Sequence, residues 1–212
     1  MTGLIRNNFY SMESNIKLSF LLSVVIAAVP CLTGSQKMLS TMVAVQILLF
    51  VVNTGSSLQA DEAAKWNKFE ITLPVERRTI IGAKYITMAV LVFLGLIMGG
   101  LTTLLTGMTG MDIKPAYVIW GFGFGLSLSL TSVAFMYPAM LKLGTEKSEM
   151  IICISAFCAV GIVNIIGVVL SPIIGSWNYQ HPVKGVALTI ISFGLYLLSY
   201  AVALEIHRRK EF

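Results

Sequence analysis

The chain has 212 residues, of which 56% are hydrophobic and only 12% are charged, and its formal net charge is +5. About a quarter of the residues of a soluble domain are usually charged, so this composition excludes a soluble globular protein and indicates an integral membrane protein. Its length allows about six helical spans of roughly 20 residues each. The positive charge is typical of loops on the cytoplasmic side of a membrane, and it gives no argument for binding to nucleic acid.

Residues 1–15 predict an amphipathic helix that lies in the membrane interface. Apolar and polar residues occupy opposite sides at helical spacing: Leu4, Ile5, Phe9, Met12 and Ile16 against Arg6, Asn7, Ser11 and Glu13. A helix with one apolar side and one charged side is suited to the boundary between lipid and water.

Six apolar segments follow, and they predict spans at residues 16–33, 39–60, 86–105, 116–141, 150–170 and 185–206. Small residues recur every four positions in the third span (Gly95, Gly99) and in the fourth (Gly121, Gly125, Ser129), which favours close helix packing. Pro138 is expected to kink or end the fourth helix. The sequence therefore predicts an all-α membrane protein, organised as a single domain over residues 1–212.

The distribution of Lys and Arg predicts the orientation. With the N-terminus inside, only Lys37, Lys114 and Lys184 of the fifteen basic residues fall on the outer side. Basic residues accumulate in cytoplasmic segments, so both termini and the polar segment 61–85 are predicted to be cytoplasmic.

Residues 61–85, called the 61–85 loop below, form the longest polar stretch of the chain. The aromatic residues Trp66 and Phe69 interrupt its charged residues, which favours docking on a partner over a solvated loop. Pro74 predicts an extended Leu73 and a bend, followed by a helix that starts at Pro74 with Glu76 in its first turn and runs into the third span. A solvated loop without a partner remains the alternative.

Four polar residues within predicted spans are candidates for the lining of a substrate path. Gln46, Asn53 and Ser57 lie on one face of the second span, and Asn164 lies in the fifth. The alternative for each is a hydrogen bond between helices of one subunit.

Several kinds of chemistry are missing from the sequence. No ionisable residue lies near the middle of a predicted span, which argues against a carrier coupled to protons or sodium. There is no HExxH motif, no phosphate-binding GxxxxGK[ST] loop and no metal-type cysteine spacing, so no catalytic or metal-binding residues are expected and any ATP must bind to another chain. The only histidines, His181 and His207, are predicted on opposite sides of the membrane. A stand-alone secondary carrier or a structural membrane protein remains the alternative.

The 61–85 loop resembles the ABC-2 type permease family. An acidic pair, an aromatic residue, Leu-Pro-Val, a basic pair and Lys-Tyr occur in the family's order; here they are Asp61, Glu62, Trp66, Leu73, Pro74, Val75, Arg77, Arg78, Lys84 and Tyr85. The N-terminal Gly3-Leu4-Ile5 and Phe9-Tyr10 are similar to a branch of small bacterial permeases, which includes exporters of phenol-soluble modulins and self-immunity transporters for antimicrobial peptides. That branch commonly has Lys-Asp where this chain has Asn7-Asn8.

The resemblance implies a six-span permease subunit of the bacterial cytoplasmic membrane. It would pair with a second permease copy, identical or related, and with an ATP-binding-cassette ATPase that carries the ATP and Mg²⁺. A cytoplasmic coupling helix between the second and third spans would contact that ATPase, and basic residues there would contact acidic groups of the ATPase or lipid phosphates. The implied cargo is an amphipathic peptide, exported by alternating access. The residues implied in ATPase coupling are Asp61, Glu62, Trp66, Phe69, Leu73, Pro74, Arg77 and Arg78.

Overall fold

The computed structural model describes residues 1–66, 69, 76–144, 147–174 and 182–209. Over these residues the chain forms seven helices and no strand: α1 (Thr2–Ser11), α2 (Glu13–Thr33), α3 (Gln36–Ala63), α4 (Arg77–Met108), α5 (Pro115–Leu143), α6 (Ser148–Ile174) and α7 (Pro182–Arg209). The helices α2 to α7 are long and apolar enough to cross a membrane, which confirms the predicted all-α fold with six spans. The predicted coupling helix lies largely outside the described residues, as do Leu73, Pro74 and His181.

One predicted helix boundary was wrong. Glu76 has extended backbone angles and is the N-cap of α4, where its carbonyl oxygen accepts hydrogen bonds from Thr79 N and Ile80 N. It is therefore not a first-turn residue, and α4 starts at Arg77. Pro138 was predicted to kink or end its helix; it lies inside α5, which continues to Leu143, and the kink stays a prediction. A proline removes one hydrogen bond, and the buried neighbours Tyr137 and Met140 keep the following turn packed on the bundle.

The helix α3 lies at the centre of the bundle and packs against α2, α4, α5 and α6. Glycines allow its closest contacts: a Cβ built on Gly95 of α4 would lie 2.7 Å from Ile47 Cα, and one on Gly125 of α5 would lie 2.8 Å from Ala44 Cα. Backbones approach this closely only where a side chain is absent. The small residues predicted to mark close packing do so at both positions.

The helices α2 and α6 lie at the periphery and expose large apolar side chains. On α2 these include Leu21, Val24 and Val25, and on α6 they include Phe157, Ile165, Val168 and Val169. In a membrane these faces would contact lipid or another chain.

The helix α1 packs against α3 and α4 through polar as well as apolar side chains. Met12, which follows α1, is 1% exposed and clusters with Phe50 and Leu91. However, Asn8 is buried too, and Ser11, which was predicted on the outward polar side, hydrogen-bonds Ser57 of α3. The helix is therefore anchored to the bundle by specific polar contacts.

Candidate functional site at the base of the 61–85 loop

A buried ion pair joins α3 to α4 at the base of the 61–85 loop. Asp61 in the last turns of α3 and Lys84 near the start of α4 are 23 residues apart in sequence, and Lys84 Nζ lies 2.6 Å from Asp61 Oδ2. The Lys84 side chain is 8% exposed and the Asp61 side chain is 3% exposed. A pair of this kind has lost its hydration, so either charge without the other would be strongly destabilising. The ends of α3 and α4 are thus held together.

The helix α1 forms one hydrogen bond to α4 and one to α3 close to this ion pair. Asn8 Nδ2 donates to Thr87 Oγ1 at 3.2 Å, and Ser11 Oγ lies 2.9 Å from Ser57 Oγ. A cavity of about 10 Å³ between these side chains is also lined by Lys84, which is room for about one water molecule. We call this group of six residues the polar base; its members are Asn8, Ser11, Ser57, Asp61, Lys84 and Thr87.

Contacts beside the polar base reach the remaining helices. Gln59 of α3 hydrogen-bonds Ser148 at the start of α6. The Tyr85 hydroxyl lies 2.8 Å from Ser199 Oγ of α7, and the Tyr85 ring packs edge-to-face on Tyr137 of α5 at 5.2 Å between centroids. Residues at the ends of α3 and α4 are therefore in direct contact with α5, α6 and α7, so a displacement of these ends would act on all three helices.

Arg77 connects the loop to the end of α7. Its Nη1 donates to His207 O at 3.1 Å and to Arg208 O at 3.0 Å. The last carbonyl groups of a helix have no partner within the helix, and a basic side chain can satisfy them. Arg77 was predicted to contact an ATPase; in this structure it contacts α7. Its neighbour Arg78 is exposed.

An aromatic pair, the half-buried Trp66 and the exposed Phe69, lies just beyond the polar base. Lys65 has a positive φ of 53°, which turns the chain away from α3. The rings of Trp66 and Phe69 then pack with their centroids 5.2 Å apart, and Phe69 is 54% exposed. Glu62 is exposed one turn earlier. Of the predicted coupling residues in this part of the chain, Glu62 and Phe69 are exposed, Trp66 is half-buried and Asp61 is buried.

Three of the four candidate path residues are buried and hydrogen-bonded between helices. Asn53 Nδ2 donates to Ser19 Oγ at 2.9 Å, and Gln46 Nε2 donates to Ser23 O and Thr102 Oγ1 at 2.9 and 2.8 Å. With the Ser57–Ser11 bond, these contacts continue the polar base along α3. They match the alternative of hydrogen bonds inside one subunit, and a role in a substrate path stays a prediction.

Asn164 differs from these three residues because it is exposed on α6. Its Nδ2 donates to Val160 O of its own helix at 2.7 Å. Gly161 lies on the same exposed face, and a Cβ built there would meet nothing within 4 Å. A small residue beside an amide on an apolar helix face is typical of helix–helix interfaces in membranes.

Sequence analysis identified Asp61, Lys84, Asn8 and Ser11 only as separate residues. The missed signal was a pair of opposite charges near two facing helix ends, Asp61 two residues before the end of α3 and Lys84 seven residues after the start of α4, together with polar residues on the apolar side of α1. Among the residues that the structure describes, no group of three or more His, Cys, Asp or Glu could hold a metal ion.

A family model described as "ABC-2 family transporter protein" matches residues 3–208. Neither the curated proteins nor the solved structures gave a significant match.

Proposed function

Because the chain belongs to the ABC-2 transporter family, a family of membrane components of ATP-binding-cassette transporters, we propose that it is the permease subunit of a peptide exporter. A separate ATPase would bind the ATP and Mg²⁺ and drive alternating access. The cargo would be an amphipathic peptide of the toxin or antimicrobial type, or a similar amphiphile. The protein would lie in a bacterial cytoplasmic membrane with both termini in the cytoplasm.

The observation that supports this proposal is an aromatic pair, the half-buried Trp66 and the exposed Phe69, that follows the buried ion-pair residue Asp61 in the chain. Trp66 and Phe69 offer an apolar surface to a soluble partner, and Asp61 and Lys84 hold the two helix ends behind that surface together. A force on the loop would therefore move α3 and α4 as one body. Arg77 would pass the movement to α7 through the two carbonyl groups that it contacts.

Export requires a path, and we propose that it lies between two permease copies along α6. The exposed face of that helix combines Asn164 and Gly161 with apolar side chains such as Phe157 and Val168. A face of this composition fits both a second helix and an amphipathic cargo, whose polar groups need partners among apolar surroundings. Gln46, Asn53 and Ser57 would join the path in a state in which α1 and α2 move away from α3.

The second copy is testable by cross-linking. Asn164→Cys in a chain whose own cysteines are replaced by serine is expected to form a disulfide-linked dimer in membranes, because the residue would face its counterpart across the interface. Gel mobility under non-reducing conditions measures the product. Ala159→Cys, on the buried side of the same helix, is the control and should stay monomeric. Equal cross-linking of both variants would contradict the proposed interface.

Coupling through the aromatic pair is testable by reconstitution with the ATPase in liposomes. The double variant Trp66→Ala/Phe69→Ala is expected to weaken association with the ATPase about tenfold or more, since central aromatic residues dominate binding at interfaces. ATPase activity should then no longer change when amphipathic peptide is added. Phe193→Ala is the control, because Phe193 is 52% exposed on α7, close to the 54% of Phe69.

The same assay separates the function classes. If the wild-type chain binds the ATPase but peptide does not change the ATPase activity, the exporter proposal stands and the proposal of a peptide cargo is wrong. Normal association and transport by the double variant would contradict coupling through this loop.

One observation favours a secondary carrier as a second candidate. The Asp61–Lys84 pair is ionisable and buried, and such groups in membrane proteins often serve proton relays. Transport that continues with an ATPase inactivated at its ATP site, and that stops when an ionophore is added, would identify the carrier instead of the exporter.

A further inference from the structure

A groove runs along the surface between the start of α4 and the end of α7. It consists of two adjoining cavities that share Arg78, with volumes of about 430 Å³ and 250 Å³. The larger one is mainly apolar and aromatic and is lined by Gly82, Tyr85, Ile86, Tyr196, Leu197 and Tyr200. The smaller one lies at the helix ends and is lined by three arginines, Arg77, Arg78 and Arg208. One surface thus joins a cationic end to an apolar trough.

The cationic end has an excess of positive charge. Neither the Arg78 nor the Arg208 guanidinium forms a salt bridge or a side-chain hydrogen bond with another residue in the described part of the chain. Of the two acidic residues that line the cavity, Glu76 and Glu205, Glu205 is 2.7 Å from the Nε of Arg209. Arg78 and Arg208 are therefore available to an anion.

The apolar trough extends from this charge into the membrane-spanning region. Ile86 lies eight residues after Arg78 on α4, which is about 12 Å along a helix, and it is 42% exposed. Leu197 on α7 is 53% exposed on the other wall. A ligand that fills both cavities must carry an anionic group at one end and an apolar chain at least as long as the distance of about 12 Å from Arg78 to Ile86.

We propose that this groove binds an anionic phospholipid. The headgroup phosphate lies between Arg78 and Arg208, whose guanidinium groups suit the geometry of phosphate oxygens, and an acyl chain lies along Ile86 and Leu197. Basic pockets between membrane helices bind acidic headgroups in this way. An acidic surface of a partner protein would satisfy the arginines but would leave the apolar trough empty, so the observations favour lipid. The proposal does not rest on the cargo, and because Arg78 is also implied in ATPase coupling, the test below includes ATPase binding.

The test is lipid binding to the purified full-length chain in detergent, measured by native mass spectrometry. The probes are phosphatidylglycerol and phosphatidylcholine with identical acyl chains. We expect phosphatidylglycerol to bind more tightly to the wild type, and Arg78→Gln/Arg208→Gln to weaken it roughly 30-fold, the effect of two basic groups at an anionic surface. Arg6→Gln/Lys17→Gln removes the same charge from exposed residues outside the groove and should change the affinity less than twofold.

A second variant tests the acyl chain. Gly82 lines the trough, and a Cβ there would make only ordinary contacts, 3.6 Å to Met1 Cε and 4.0 Å to the Tyr200 hydroxyl. Gly82→Leu should therefore keep the fold, which circular dichroism checks, and should weaken phosphatidylglycerol binding by filling the trough while both arginines remain.

Three results would overturn the proposal. One is equal binding of the two lipids by the wild type, unchanged in the arginine variant. Another is full phosphatidylglycerol binding by Gly82→Leu together with competition by inorganic phosphate, which would show a site for soluble anions. The third is an arginine variant that binds lipid normally but fails to bind the ATPase, which would assign the arginines to a protein contact.

Discussion

Asp61→Ala is expected to destabilise the fold by about 3–5 kcal/mol, because it leaves the Lys84 ammonium buried without its partner. The ion pair has an N–O distance of 2.6 Å, and both side chains are almost fully excluded from solvent. Lys84→Ala should cost a similar amount by leaving the carboxylate unpaired. Unfolding of the purified protein by denaturant or heat in a fixed detergent measures both effects.

The chain offers a matched control for this experiment. Glu13 and Lys17 of α2 form an ion pair with the same 2.6 Å distance, but their side chains are 54% and 74% exposed. Exposed pairs of this kind contribute little to stability because water and salt screen them, so Glu13→Ala should have only a small effect. A loss for Asp61→Ala as small as that for Glu13→Ala would show that water reaches the Asp61–Lys84 pair.

A double variant separates stability from coupling. Replacing both partners, Asp61→Leu/Lys84→Met, removes the charges together, and such replacements are often neutral or stabilising. If the ion pair serves to move α3 and α4 together, this variant should fold and bind the ATPase and yet respond weakly to peptide. Full peptide response in the double variant would show that the pair is only structural.

Local patterns predicted the fold well because each span is read from neighbouring residues. Hydropathy and length define the six spanning helices, and small residues at every fourth position define where α4 and α5 approach α3. At Gly95 and Gly125 the predicted close packing is present in the structure. These features depend only on the spacing of residues along one helix, which can be read from a single sequence.

The candidate site was harder to predict because it depends on which helix ends meet. Asp61 and Lys84 looked like two of several charges in a polar loop, and Asn8 was noted only as part of the Asn7-Asn8 difference from the related permeases. Their pairing follows from the tertiary packing of α1, α3 and α4, which has no local signature. Likewise, Gln46, Asn53 and Ser57 were identified as one polar face, but whether a polar face meets a substrate or another helix depends on its neighbours.

Gly95→Ala and Gly100→Ala, two substitutions on the same helix, are expected to change stability in opposite directions. The Cβ at Gly95 would lie 2.7 Å from Ile47 Cα and 3.2 Å from Ile47 O, and these backbone atoms can move only if α3 and α4 separate. Overpacking of this kind typically costs 1–3 kcal/mol, occasionally more, and separation would also strain the hydrogen bonds between Gln46 and Thr102.

At Gly100 a Cβ would meet nothing within 4 Å. Alanine there removes the backbone freedom of glycine at no steric cost, so it should stabilise the helix by roughly 0.5–1 kcal/mol. The unfolding assay used for Asp61 compares the two variants directly. Both substitutions add the same methyl group to α4. If their changes in stability have opposite signs, the difference can be attributed to the close approach of α3 at Gly95. Stabilisation by both would mean that the α3–α4 contact is looser than the 2.7 Å approach requires, and α4 could then move relative to α3 without breaking the packing that joins them.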